Sequence, residues 1–180
     1  VRHESSANVD YISRVFSFPN PVNEVAARTV AAGVVAMSLA VVVPRWTWVL
    51  WPLAFGFVAR VAAGPTFSPL GRLATQVVVP RLPFAARPVD GPPKRFAQGI
   101  GAVLSVTALV AHMAFGATIV AVVLVAMIAI AATLESALGY CIGCKVFALL
   151  IRSGVLSDEV CAACADLSLR RKQSLSPGVD

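Results

Sequence analysis

Charge is scarce in this chain. Only 13% of its residues are Asp, Glu, Lys or Arg, against roughly a quarter in soluble domains. Hydrophobic residues make up 58%, so a water-soluble fold would lack polar side chains to cover its surface. Acidic groups are the rarer sign: nine Asp and Glu against fifteen Lys and Arg leave a formal charge of +6. Histidine occurs twice, at His3 and His112, too few to build a haem or binuclear metal site. There is no phosphate-cradling Walker loop, no HExxH pair and no serine nucleophile elbow. No secretory leader is visible either, since residues 1–24 are polar or weakly amphipathic without a short apolar core.

What the chain does have is long apolar runs, at residues 25–43, 46–63, 97–115 and 117–138. Each is close to the ~20 residues that cross a bilayer as a helix, and lipid offers no partner for a non-helical amide. Residues 119–133 carry no charge on any face, which excludes the amphipathic helix of a soluble bundle. The expected fold class is therefore all-α integral membrane, with four transmembrane helices, short interfacial helices and a cytosolic cysteine-rich cap. The divisions are an N-terminal segment 1–24, helices one and two over 25–63, and a Pro-rich loop 64–96. Helices three and four follow over 97–138, then the cap at 139–169 and a disordered or partner-docking tail at 170–180.

Basic residues set the expected orientation. Arg72, Arg81, Arg87, Lys94 and Arg95 lie between runs two and three, and Lys145, Arg152, Arg170, Arg171 and Lys172 follow run four. Positive segments stay in the cytoplasm, so both termini and the central loop are expected inside a bacterial cytoplasmic (inner) membrane. Trp46, Trp48 and Trp51 then form a belt at the outer interface. The positive charge is accounted for by anionic inner-leaflet lipid, and no nucleic acid is implied.

Two loops carry further signals. Val9, Ile12 and Phe16 share a helical face and suggest a short interfacial helix. Ser68-Pro69 reads as an N-cap followed by a first-turn proline. Leu70, Leu73, Ala74 and Val77 then fall on one face of a surface or re-entrant helix that Pro80 stops. Residues 88–95 are expected to be irregular, a rigid path delivering Lys94 and Arg95 to the start of run three as headgroup anchors. Gly99, Gly101 and Ser105 read as small contacts for close helix packing.

Three segments together resemble a bacterial membrane family, the domain of unknown function 4395. They are Gly64-Pro65-Thr66-Phe67-Ser68-Pro69-Leu70, Gly91-Pro92-Pro93-Lys94-Arg95-Phe96-Ala97-Gln98, and the Cys141 and Cys144 pair after a helix containing Glu135. The resemblance runs from about Asn20 to Cys164. It implies a four-helix membrane unit of unassigned activity, encoded near thioredoxin-like and sulfurtransferase proteins, and so a partner of that kind.

All four cysteines fall in two CxxC pairs, Cys141 with Cys144 and Cys161 with Cys164. Residues 145–160 separate them, within the spacing of a tetrahedral four-thiolate zinc site. Gly143 suits a knuckle-like turn at the first pair; Ser157, Asp158 and Glu159 suit a helix start before the second. The same residues also suit redox or sulfur transfer, in which a thiolate attacks a disulfide or persulfide. Lys145 favours a thiolate at the first pair, while Asp158 and Glu159 oppose one at the second. Ordinary reduced cysteines are the bland alternative, which four in so short a segment argue against.

Intramembrane charges complete the candidates. Arg60 near the inner end of run two and Glu135 near that of run four are expected to form an ion pair, which Arg28 can join. Glu135 is also placed to exchange protons with Cys141. His112 belongs at the outer end of run three, far from the cysteines.

The preferred function is a thiol-redox or sulfur relay. Cys141 and Cys144 would be the working pair, Cys161 and Cys164 the resolving pair, and Glu135 the proton carrier. The alternative is a non-enzymatic scaffold or accessory subunit of a membrane complex, with all four cysteines on a structural zinc ion. A small-anion permease using Arg60 and Arg28 is the third.

Overall fold

The computed structural model describes residues 22–64, 67–81, 88–89 and 91–153. Helix α1 (Glu24–Val42) starts where the Asn23 side chain accepts a hydrogen bond from Val25 N at 3.0 Å, with Glu24 in the first turn. A carboxylate there complements the positive end of the helix dipole. After Val42 the chain reverses through Arg45, which sits at φ 59°. A 3-10 turn (Thr47–Val49) then leads into α2 (Leu50–Ala63). The α4 (Gly91–Phe115) and α5 (Thr118–Leu138) helices form a hairpin, and α6 (Ile142–Arg152) folds back onto α4.

Three helices, α1, α4 and α5, are long and apolar enough to cross a membrane, while Thr47–Ala63 is a shorter apolar helix. The run expected at 46–63 is divided because the turn out of α1 consumes its first residues in 3-10 geometry. Helix α1 lies along α5, α2 along α4, and α4 along α5. Their shared core contains Val34, Val41, Leu50, Leu53, Phe57, Ala108, Val125 and Ile128. Ser38 and Ser105 are also completely buried, and small side chains at such contacts let backbones approach closely. Large apolar side chains also cover the outside: Val103, Phe115, Ile119, Ile130 and Leu138 are all more than half exposed. A surface of that kind suits lipid rather than water.

Between α2 and α4 the chain makes a short helix α3 (Pro69–Arg72), a π-helical stretch Leu73–Val78 and a 3-10 turn Val79–Arg81. The expected cap is present: Ser68 Oγ accepts from Gly71 N at 3.3 Å, with Pro69 in the first turn. The helical path continues past Pro80 to Arg81, whose guanidinium donates to Val77 O at 2.7 Å. Proline has no N–H to extend an α-ladder, and the last turn tightens instead.

Residues 88–95 depart from the expected irregular path. The β1 strand (Val22–Asn23) pairs antiparallel with β2 (Pro88–Val89), and α4 already begins at Gly91. Pro92 and Pro93 do not prevent this, because the first-turn amides of a helix have no intrahelical acceptor and proline's fixed φ is already helical. Lys94 and Arg95 are therefore carried on a rigid helix.

Candidate thiol site

The site is assembled at the end where α1 begins and α5 ends. Helix α5 stops at Gly139, whose left-handed φ of 67° directs its N–H back to Glu135 O. Arg28 of α1 reaches the same end, donating from Nε to Ser136 O at 3.1 Å and from Nη2 to Ala137 O at 2.7 Å. These bonds satisfy carbonyls that a helix terminus leaves open and place a cation at its negative pole. The abrupt stop puts Cys141 in extended geometry (φ −90°, ψ 105°) at the N-cap of α6, with Cys144 one turn on.

Two contacts hold the start of α6 in place. A side chain at Gly143 would collide with the Cα and Cβ of Ala97 in α4, so the glycine between the cysteines permits the two helices to touch. One turn on, the Phe147 ring lies 5.4 Å from that of Phe96, at 51°. The buried face of α6 thus runs through Cys141, Gly143 and Phe147, with Lys145, Val146 and Leu149 outward.

Lys94 in the first turn of α4 is buried beside the cysteines, its Nζ 2.5 Å from Glu135 Oε1 of α5. The Cys141 thiol is lowered to about 7, chiefly because the Cys144 thiol donates to its sulfur, with the Cys144 amide and Lys94 helping. Burial and the Glu135 charge oppose the shift without reversing it. Cys144 is pushed the other way, since it holds its proton toward Cys141 and is itself partly buried. The arrangement favours one thiolate and one thiol, on named atoms. Both are free thiols, and both line an open cleft of about 430 Å³ with Glu24, Lys94, Tyr140 and Lys145. Lys145 Nζ stands 5.7 Å from the centre of the Tyr140 ring on its rim.

The expected ion pair between Arg60 and Glu135 does not form; Glu135 meets Lys94. Arg60 is buried and donates to Gln98 Oε1 at 2.9 Å and Ser68 Oγ at 3.2 Å, over the Phe57 ring. The early start of α4 is the reason, because it lifts Lys94 to the level of Glu135 and Gln98 to that of Arg60. Arg28 caps α5 instead of joining a charge cluster. His112 Nδ1 lies 3.0 Å from Thr118 Oγ1 at the turn between α4 and α5, the opposite end from the cysteines.

The first cysteine pair occupies a helix start rather than the knuckle-like turn that Gly143 suits in the zinc alternative. Cys161 and Cys164, and with them the four-cysteine zinc site, lie outside the described residues. Among those residues, no group of three or more His, Cys, Asp or Glu side chains is gathered to hold a metal ion. Lys94 is the member of the site that sequence reasoning assigned elsewhere, to lipid headgroups. Its signal was the Pro-Pro pair before it, a helix start in which the lysine falls in the first turn.

No curated protein and no solved structure matches the chain. One family model does match, over residues 22–152, from β1 to the last residue of α6. That span encloses Glu135, Cys141 and Cys144 and ends before Cys161. By this coverage the chain belongs to the family described as domain of unknown function 4395.

Proposed function

We propose that this is a multi-pass membrane protein working in thiol–disulfide exchange or sulfur relay through Cys141. The observation that carries the reading is Cys141 at the N-cap of α6 with Cys144 one turn on, both lining an open cleft beside Lys94. The Cys141 thiolate attacks a sulfur of an incoming disulfide, forming a mixed disulfide and releasing the other sulfur as a thiolate; from an incoming persulfide it takes the terminal sulfur, becoming a persulfide itself and releasing the carrier's thiolate. With Cys141 no longer charged, the main force holding the proton on Cys144 is gone. Cys144 then loses that proton to the departing thiolate, attacks Cys141 and frees the remaining half of the substrate. Oxidation of the pair thus balances reduction of the substrate disulfide. A thioredoxin-like or sulfurtransferase protein is the partner this chemistry suits, with Cys161 and Cys164 as a second, resolving pair.

In this reading Thr47–Ala63 is the fourth span, with both termini on the cytosolic side of a bacterial inner membrane. Arg72, Arg81, Lys94, Arg95, Lys145 and Arg152 support it, because all of them follow α2 or α5 in the chain whereas Arg45 alone lies between α1 and α2. Trp46, Trp48 and Trp51 support it as exposed indoles toward the other end.

The test is the pH dependence of Cys141 alkylation, mapped by peptide mass. A midpoint near 7 is expected, and one at the ~8.5 of an ordinary thiol sinks the proposal. A structural zinc site is the second reading, favoured by the spacing of the two pairs. Elemental mass spectrometry on chain purified without chelator decides it: one zinc per chain, released only on unfolding, replaces the relay with a clamp.

A further inference from the structure

Cys141 faces two spaces and Cys144 only one. Both cysteines line the polar cleft already described. Cys141 also lines a cavity of about 110 Å³ inside the bundle, with Gln98 and Glu135 as its other polar side chains and Val34, Phe57 and Ile128 among its apolar walls. Val34 and Ile128 lie in the middle of α1 and α5, so the cavity extends into the apolar part of the molecule. One water needs roughly 10–15 Å³ of such space. The cavity therefore takes a molecule of a few heavy atoms, and nothing as large as a peptide thiol.

From these two faces we infer that hydrogen sulfide, entering from the cavity, opens the Cys141–Cys144 disulfide and leaves its sulfur on Cys141 as a persulfide. The inference rests on the thiol reading and names a small substrate of the same pair. In that reading an incoming disulfide oxidises the pair, and a sulfur nucleophile reopens the bond so formed. The cavity admits only a small one, and its apolar walls select one that is uncharged on entry. Hydrogen sulfide is the smallest thiol, is uncharged in its protonated form and dissolves in lipid. Geometry also chooses the sulfur that is attacked. A nucleophile approaches a disulfide in line with the sulfur that leaves. Approach from the cavity therefore reaches Cys141 and expels Cys144, which lines the cleft and not the cavity.

The bond that forms joins the incoming sulfur to Cys141, and the bond that breaks is the disulfide. The sulfide sulfur is oxidised to the sulfane level, and the pair takes up the electrons as Cys144 leaves. One hydrogen of hydrogen sulfide stays on the persulfide and the other ends on Cys144. Glu135 lines the cavity, Lys94 lines the cleft, and the two are bonded to each other, so this pair carries the proton from one space to the other. The Cys141 persulfide then passes its terminal sulfur to an acceptor thiolate in the cleft, which returns both cysteines to the reduced state. Disulfide exchange and sulfur relay become successive halves of one cycle.

The full chain in lipid nanodiscs is oxidised with oxidised glutathione, freed of it, mixed anaerobically with sodium sulfide and then alkylated. Peptide fragmentation by mass spectrometry reads the two cysteines separately. One extra sulfur on Cys141, with Cys144 plainly alkylated, is expected. An extra sulfur on Cys144, or on neither, overturns the inference whatever the variants do. Ala132→Leu of α5 and Ala31→Leu of α1 each fill the cavity from its wall. Each should slow opening by limiting sulfide roughly tenfold and leave opening by reduced glutathione, which enters through the cleft, unchanged. Equal rates with sulfide in filled and unmodified chains, or equal slowing with both thiols, also overturn it. Neither variant should move the Cys141 alkylation midpoint of the reduced chain, which serves as the check on folding. If that midpoint in the unmodified chain is that of an ordinary thiol, the relay reading fails first; a midpoint near 7 without sulfur on Cys141 sinks this inference alone.

Discussion

At Cys141 a buried sulfur is nevertheless inclined to carry charge. Its residue is only 8% exposed, and desolvation alone would keep it protonated. Its pKa still falls to about 7, because Cys144 donates to it and Lys94 stands close by. At pH 7.5 roughly three-quarters of such thiols are ionised, against roughly a tenth at the ordinary pKa of ~8.5. Alkylation should therefore reach its plateau by pH 8 and decline as pH falls through 7. The same shift stabilises the fold: it acts fully above the unfolded pKa and is lost as pH falls through about 7. Cys144→Ala removes the larger cause and should raise the alkylation midpoint furthest. Lys94→Met should raise it less, and Lys94→Arg should restore it; a midpoint indifferent to charge at this position would show that the cation is only structural. The pair and its chemistry were legible as a CxxC beside a basic residue. Which cation serves it was not, because Lys145, the sequence neighbour, turns outward onto Tyr140 while Lys94 arrives from α4.

Elements meet at this site through small residues and caps. Gly143→Ala puts a methyl where Ala97 now sits, so α6 must move off α4. Overpacking of that kind costs roughly 1–3 kcal/mol, and the movement should also return Cys141 toward ordinary thiol behaviour. Thermal unfolding in detergent, run beside the alkylation profile, measures both effects. Arg28→Ala leaves the last carbonyls of α5 without their donor and should lower stability by roughly 1–2 kcal/mol, with little change at Cys141. Helices α1, α4 and α5 could be read in the sequence because unbroken apolarity leaves few other options. The start of α4 could not: Gly91, Pro92 and Pro93 read as helix breakers, although the first turn is the one part of a helix that tolerates proline. The pairing of β1 with β2 joins segments far apart in the chain, and local pattern carries no trace of it.

For the molecule as a whole, the testable statement is which side of the membrane the cleft faces. A membrane-impermeant maleimide should label Cys141 in inverted vesicles and not in intact spheroplasts; labelling in spheroplasts would reverse the orientation. The sequence by itself determined that the chain is helical and apolar enough for a bilayer, since composition and run length decide how amides must be satisfied in lipid. It also placed the chain in its family and marked the first cysteine pair. Only the tertiary structure decided that Lys94, rather than Arg60, pairs with Glu135, that Arg28 caps α5, and that Cys141 stands between a polar cleft and an apolar cavity. Those outcomes depend on the register in which helices pack, which charge and hydropathy along a single chain do not encode.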